Sequence, residues 1–140
     1  MKKSENNNKI TIKNSQKQEI FNDFLLWVDG IQEDEPVPFE VEFVYFVLDF
    51  TNNDIVLSYS GSSKKLEVFE LALYSPLEGE YLFSNALKQL SKDVFEKKKN
   101  ISKKQIFDML KDIVFSATKK LKFLENKKIL FGKKYNKVKY

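Results

Sequence analysis

Residues 39–50, FEVEFVYFVLDF, form the most apolar run of this 140-residue chain. β-Branched and aromatic residues fill most of the run, and strands favour both types. Every odd position from Phe39 to Val47 is apolar, whereas the even positions begin with Glu40 and Glu42 and only then become apolar. Because side chains alternate between the two faces of a strand, the pattern predicts a central strand with one face buried along nearly its whole length and one end near solvent.

Two further strands are predicted directly after this run. They cover Ile55–Ser60 and Leu66–Tyr74, and short turns at residues 51–54 and 61–63 separate the three. Connections this short join antiparallel neighbours only, since a parallel pair needs a long crossover. The sequence therefore predicts a three-stranded antiparallel β-meander.

Three helices are predicted around the strands, over residues 16–29, 76–97 and 102–125. Their start signals are Ser15 with Gln18, Ser75 with Pro76, and Ser102 with Gln105. Gly30 is placed to end the first helix in a left-handed conformation. The helices are expected to cover one face of the sheet.

The expected fold is thus α+β, in the order α-β-β-β-α-α. Residues 15–125 are expected to form a single domain, because a chain of this length suits one core. Residues 1–14 are polar and without periodicity, which predicts a flexible N-terminus. Residues 126–140 are basic and aromatic, and we expect them to form either a tail or short added strands.

The composition excludes several kinds of chemistry. The chain has no cysteine, no histidine and no arginine, since all 24 basic residues are lysine. Disulfides, nucleophilic thiols, Ser-His-Asp triads and the usual zinc sites are therefore excluded. Two carboxylate pairs, Glu78 with Glu80 and Asp108 with Asp112, are explained by helix capping and solvated helix charge. We expect no enzymatic activity, no metal and no cofactor.

No membrane association is expected from the sequence. No apolar run reaches the roughly 18 residues that a membrane-spanning helix needs. The N-terminus is basic but lacks the apolar core of a signal peptide. The expected location is the cytoplasm.

The charge is distributed unevenly along the chain. Residues 21–96 carry four lysines and fifteen acids, a net charge of −11, and residues 97–140 carry fifteen lysines and three acids, a net charge of +12. Five of the acids flank the start of the apolar run, namely Glu33, Asp34, Glu35, Glu40 and Glu42. A solvated connector is the simpler interpretation of these acids, because they lack the ligand spacing of a calcium loop.

The more specific interpretation is a docking surface for a basic protein, since complementary charge speeds encounter. On this hypothesis the chain is a non-enzymatic protein-interaction module, for example an inhibitor, immunity or antitoxin-type protein. A homodimer joined through a free sheet edge is compatible with it.

The alternative function is a nucleic-acid-binding accessory protein. Lysine neutralises phosphate and aromatic rings stack on unpaired bases. The residues that would do so are Lys127, Lys128, Lys133, Lys134, Tyr135, Lys137 and Tyr140. A solvated lysine face, enriched by AT-rich coding bias, is the simpler interpretation of the same residues.

Overall fold

The computed structural model describes residues 12–51, 54–64, 73–79, 84–96 and 101–133. Within these ranges the helices are α1 (Asn14–Asp34), α2 (Asn85–Phe95) and α3 (Lys103–Thr118), and a 3₁₀ helix covers Lys122–Leu124. The strands are β1 (Phe43–Thr51), β2 (Asp54–Ser62) and β3 (Lys128–Lys133). The predicted mixture of helices and strands is confirmed, and the order of the described elements is α1-β1-β2-α2-α3-β3.

The sheet has the strand order β2-β1-β3, so β1 is the central strand, as predicted. β2 runs antiparallel to β1, with Phe43 opposite Ser62. β3 runs parallel to β1, with Phe43 beside Lys128. The predicted three-stranded antiparallel meander is therefore wrong, because the sheet is mixed and β3 comes from the C-terminal part of the chain.

The predicted third strand of the meander, Leu66–Tyr74, lies largely outside the described residues, which omit 65–72. Tyr74 at its end makes an isolated antiparallel bridge to Gly61 of β2. The physical reason for the correction is the crossover. Between β1 and β3 the chain passes through β2, α2 and α3, and a long connection of this kind allows a parallel pair that no turn signal can indicate.

α1 extends beyond both predicted ends, 16 and 29. Its buried stripe consists of Ile20, Phe24, Val28 and Ile31. Gly30 is exposed and lies inside the helix, which continues to Asp34, so the prediction that Gly30 ends the helix is wrong. A residue that precedes proline disfavours helical backbone, and Glu35 precedes Pro36. The proline therefore explains where α1 stops.

The helix start predicted at Ser75 is also wrong. Pro76 instead opens a turn in which the Gly79 amide donates to the Pro76 carbonyl at 3.0 Å. The Gly79 carbonyl accepts from the backbone amide of Tyr59 at 2.7 Å, so this turn is fixed against β2. Residues 80–83 lie outside the described residues. α2 begins after Ser84, whose hydroxyl accepts a backbone hydrogen bond from the first turn at 3.3 Å.

The start of α3 is confirmed. The backbone amide of Gln105 donates to Ser102 Oγ at 3.1 Å, and the backbone amide of Ser102 donates to Gln105 Oε1 at 2.8 Å. These two bonds form the predicted capping box. The helix ends at Thr118 rather than at residue 125. No helix in the described ranges is long and apolar enough to cross a membrane.

The core lies between the sheet and the helices. The side of β1 that faces it carries Val44, Phe46 and Leu48. Phe46 is fully buried, stacks on Tyr59 of β2 with ring centroids 5.1 Å apart, and lies 5.2 Å from the ring of Phe24 in α1. Phe107 of α3 meets Phe131 of β3 at 5.0 Å. Aromatic contacts therefore join all three strands to two of the helices.

The solvent-facing end predicted for the central strand is a separate loop. Phe39 and Glu40 form a turn before the strand, and β1 begins only at Phe43. Within β1 both faces are buried, because Tyr45 and Val47 on the second face are also shielded from solvent. The alternation therefore predicted correctly that residues 39–42 include solvent-exposed positions, but it assigned these residues to the strand instead of to the loop before it.

Candidate partner-binding surface

The five predicted acidic residues lie at one end of the sheet. Glu33 and Asp34 are in the last turn of α1, and the loop of residues 35–42, here called the acidic loop, leads from α1 into β1. Glu33, Asp34, Glu40 and Glu42 are exposed. Among the described residues, no lysine forms an ion pair with any of these four, and the ion pair found is Lys104–Asp108 on α3, at 2.9 Å. The four carboxylates therefore face solvent, and the region they occupy, the last turn of α1 with the acidic loop, is here called the acidic end.

Glu35 has a different role from the other four acids. Its carboxylate accepts a hydrogen bond from the backbone amide of Leu77 at 2.6 Å, and its backbone carbonyl accepts one from the Tyr74 hydroxyl. The side chain is half-buried. Glu35 thus ties the segment 73–79 to the end of α1, and its contact with a partner stays a prediction.

Lys127 stabilises the acidic loop through three hydrogen bonds. Its ammonium group donates to the carbonyl oxygens of Pro38, Phe39 and Val41, at 3.2, 3.3 and 2.6 Å. Lys127 directly precedes β3, and the next amide, that of residue 128, donates to the Glu42 carbonyl at 2.7 Å. The parallel pairing of β3 with β1 therefore carries the lysine to the loop.

Further hydrogen bonds within the acidic loop complete its fixation. The Val41 amide donates to the Pro38 carbonyl at 3.1 Å, which closes the turn around Phe39. The Val37 amide donates to Gln32 Oε1 at 2.9 Å. Val41 itself is fully buried. Charge-assisted and neutral hydrogen bonds therefore stabilise this conformation of the loop, each by roughly 0.5–3 kcal/mol.

A group of aromatic side chains packs beside the acidic end. Tyr59 and Tyr74 meet edge to face at 5.7 Å, and Trp27 Nε1 donates to the Glu78 carbonyl at 2.9 Å. Burial raises the pKa of Tyr74 to about 12, and burial also raises the pKa of Tyr59 far above its ordinary value. Both phenols are therefore neutral at physiological pH and pack against each other in this form.

Three lysines of the nucleic-acid hypothesis lie within the described ranges, next to or within β3. Lys127 is occupied by the acidic loop, and Lys128 lies 5.2 Å from the ring centroid of Phe43. Lys133 lies 5.7 Å from the ring centroid of Phe50, at the other end of β3, about 16 Å away along the strand. The remaining members, Lys134, Tyr135, Lys137 and Tyr140, lie outside the described residues.

The carboxylates noted in the sequence do not assemble a reaction centre in the described part of the chain. Asp108 pairs with Lys104, Asp112 is exposed, and Glu78 is exposed on the turn before α2. Glu80 lies outside the described residues. No group of three or more acidic side chains in the described ranges is placed to hold a metal ion.

Sequence reasoning missed two features of the acidic end. The first is the role of Lys127. The sequence shows only that this residue belongs to a lysine-rich segment, which is typical of a nucleic-acid-binding surface. The second is Phe39, which was counted with the buried face of the central strand but is 95% exposed. The available signal for Phe39 was the pair of prolines on either side of Val37. Prolines interrupt strands, and Phe39 directly follows the second of them.

Comparison with known proteins adds no relative to this description. No protein-family model, no curated protein and no solved structure matches the chain.

Proposed function

We propose that this chain is a non-enzymatic protein-interaction module that binds a basic protein through the acidic end. One observation supports the proposal most strongly. Glu33, Asp34, Glu40 and Glu42 are exposed on or beside a loop that Lys127 fixes, without ion pairing to any described lysine. These carboxylates can act on a partner without first breaking an ion pair to a described lysine.

Charge of this kind acts mainly on the rate of encounter. Exposed carboxylates at the rim of an interface contribute little affinity one by one, but together they attract a basic surface over about a Debye length. The fixed loop reduces the ordering cost of binding. A partner with a cluster of lysine or arginine side chains is therefore the class that this surface suits.

Within that class we favour an inhibitor, immunity or antitoxin-type protein that neutralises a basic enzyme. The support for this assignment is the profile of the chain. It is small, the backbone of its acidic loop is hydrogen-bonded to Lys127, and its composition lacks histidine, cysteine and arginine. The assignment rests on charge and chemistry at the surface and not on homology.

The test is charge reversal with a matched control. The test variant replaces Glu33, Glu40 and Glu42 by lysine, and the control variant replaces Glu19, Asp112 and Glu125, which are exposed elsewhere. Both variants change the net charge equally. Each is used to capture partners from a lysate of the native cells, and the recovered protein is identified by mass spectrometry and purified for direct titration.

We expect the native chain and the control variant to bind the same basic protein. The test variant should bind it more weakly, by a factor on the order of ten or more, and the native affinity should fall with added salt. Equal binding by the test and control variants would contradict the proposal.

A further inference from the structure

Three of the four large hydrophobic side chains that are exposed among the described residues belong to the acidic loop or to the segment that Glu35 ties to it. Phe39 is 95% exposed, Leu77 82% and Leu73 60%. The fourth, Leu26 on α1, is 72% exposed. Leu73 and Leu77 belong to the segment that Glu35 ties to the end of α1. Scattered exposed leucines need no explanation, but a group beside one loop is typical of an interaction site.

Phe39 is exposed although the backbone around it is held by several hydrogen bonds. Its own carbonyl accepts from Lys127, and the carbonyls of Pro38 and Val41 on either side accept from the same ammonium group. The ring is therefore not exposed because the loop is loose. The fold holds an aromatic side chain in water at a fixed position, where it gains nothing from the core.

We infer that Phe39 is the apolar anchor of the interface and enters an apolar pocket on the basic partner. This inference rests on the proposed function and names what the partner must offer. The pocket must be lined by apolar groups that receive the ring, and lysine or arginine side chains at its rim must face Glu40 and Glu42. Leu77, whose amide donates to Glu35 at the start of the acidic loop, contributes a second apolar contact.

The physical reason is that different residues of a protein interface determine its affinity and its association rate. Most of the affinity comes from a few buried anchors, which are often aromatic, whereas rim charges set the association rate and its salt dependence. A ring on a fixed loop loses little conformational entropy on binding. Glu40 directly follows Phe39, so the anchor and the steering charge are presented together.

The position of the anchor can be tested by photo-crosslinking. The full-length chain is made with p-benzoylphenylalanine at position 39, at position 77 or at position 26, and each form is irradiated in a lysate of the native cells. We expect positions 39 and 77 to join one basic protein and position 26 not to join it. A position-39 adduct with a second copy of this chain, or no position-39 adduct, overturns the inference.

The energetic role is tested with the identified and purified partner. Phe39→Ala should weaken the affinity by about 30-fold or more, as expected of a buried anchor, mainly through faster dissociation. Leu26→Ala is the matched control and should leave the affinity unchanged. An affinity unaffected by Phe39→Ala overturns the inference.

The two proposals fail in different ways. If charge reversal of Glu33, Glu40 and Glu42 weakens binding and Phe39→Ala does not, the acidic surface stands and the anchor is refuted. If neither set of changes alters binding, the partner uses another surface and both proposals are refuted. If Phe39→Ala weakens binding but charge reversal does not, the pocket is not on a basic surface, and both the proposed partner class and the inference as stated are refuted.

Discussion

At the scale of single residues, the structure separates side chains that look equivalent in the sequence. Phe39 and Phe46 belong to the same apolar run, yet Phe39 is 95% exposed and Phe46 is fully buried. Composition predicted a core strand here, and it was right for Phe46. It could not assign Phe39, because the exposure of that ring depends on a loop fixed by Lys127, which is distant in sequence.

This contrast predicts unequal effects on stability. Phe46→Ala should lower the free energy of unfolding by about 3–5 kcal/mol, because it leaves a cavity between the rings of Phe24 and Tyr59. Phe39→Ala should change it by less than about 0.5 kcal/mol. Urea unfolding followed by circular dichroism measures both. Similar losses in the two variants would contradict the placement of Phe39.

Tyr74 gives a prediction about pH. Burial raises the pKa of Tyr74 from 10.0 to about 12. Above pH 10 the unfolded chain therefore loses this proton while the folded chain keeps it. The unfolded state then binds fewer protons, so stability falls as pH rises. The contribution of Tyr74 is complete below pH 10 and disappears by about pH 12.

The matching measurement compares the native chain with Tyr74→Phe. At neutral pH the variant should be less stable by about 1 kcal/mol, because the hydrogen bond to the Glu35 carbonyl is lost. Between pH 10 and pH 12 its urea midpoint should fall less steeply than that of the native chain. Parallel pH profiles would show that Tyr74 ionises equally in both states and would refute this account.

At the scale of elements, the sequence located helices better than it located their ends. The capping box at Ser102 was confirmed, because both of its partners are local. Gly30 was misread, because a glycine that ends a helix and a glycine inside one look alike in the sequence. The proline at 36 sets the end of α1 more strongly than Gly30 does.

The position of Gly30 inside α1 therefore predicts whether an alanine substitution stabilises or destabilises the protein. Inside a helix, Gly30→Ala should stabilise the protein by about 0.5–1 kcal/mol, since the added methyl group meets no atom within 4 Å beyond its chain neighbours and the local helix backbone. Gly61→Ala is the opposing control, because its Cβ would lie 2.6 Å from Val41 Cγ1, and it should destabilise. Thermal unfolding measures both. A destabilising Gly30→Ala would instead support the left-handed helix end that the sequence suggested.

At the scale of the whole molecule, the pairing of β3 with β1 could not be predicted. Strand periodicity indicates which face of a strand is buried, but it does not indicate which strand lies beside it. Residues 128–133 alternate weakly, and their partner is 85 residues earlier, at Phe43 beside Lys128. The candidate surface depends on this pairing, because it brings Lys127 to the acidic loop.

The parallel register is tested most directly by cysteine pairs, since the chain has no cysteine of its own. Phe43→Cys with Lys128→Cys should form a disulfide on mild oxidation, because neighbouring strands lie about 4.8 Å apart. Phe43→Cys with Lys133→Cys should not, because that separation is about 16 Å along β3. Mass spectrometry of the oxidised monomers measures both. A disulfide in the first pair alone is the predicted result, and a disulfide in the second pair alone would show that β3 runs antiparallel to β1.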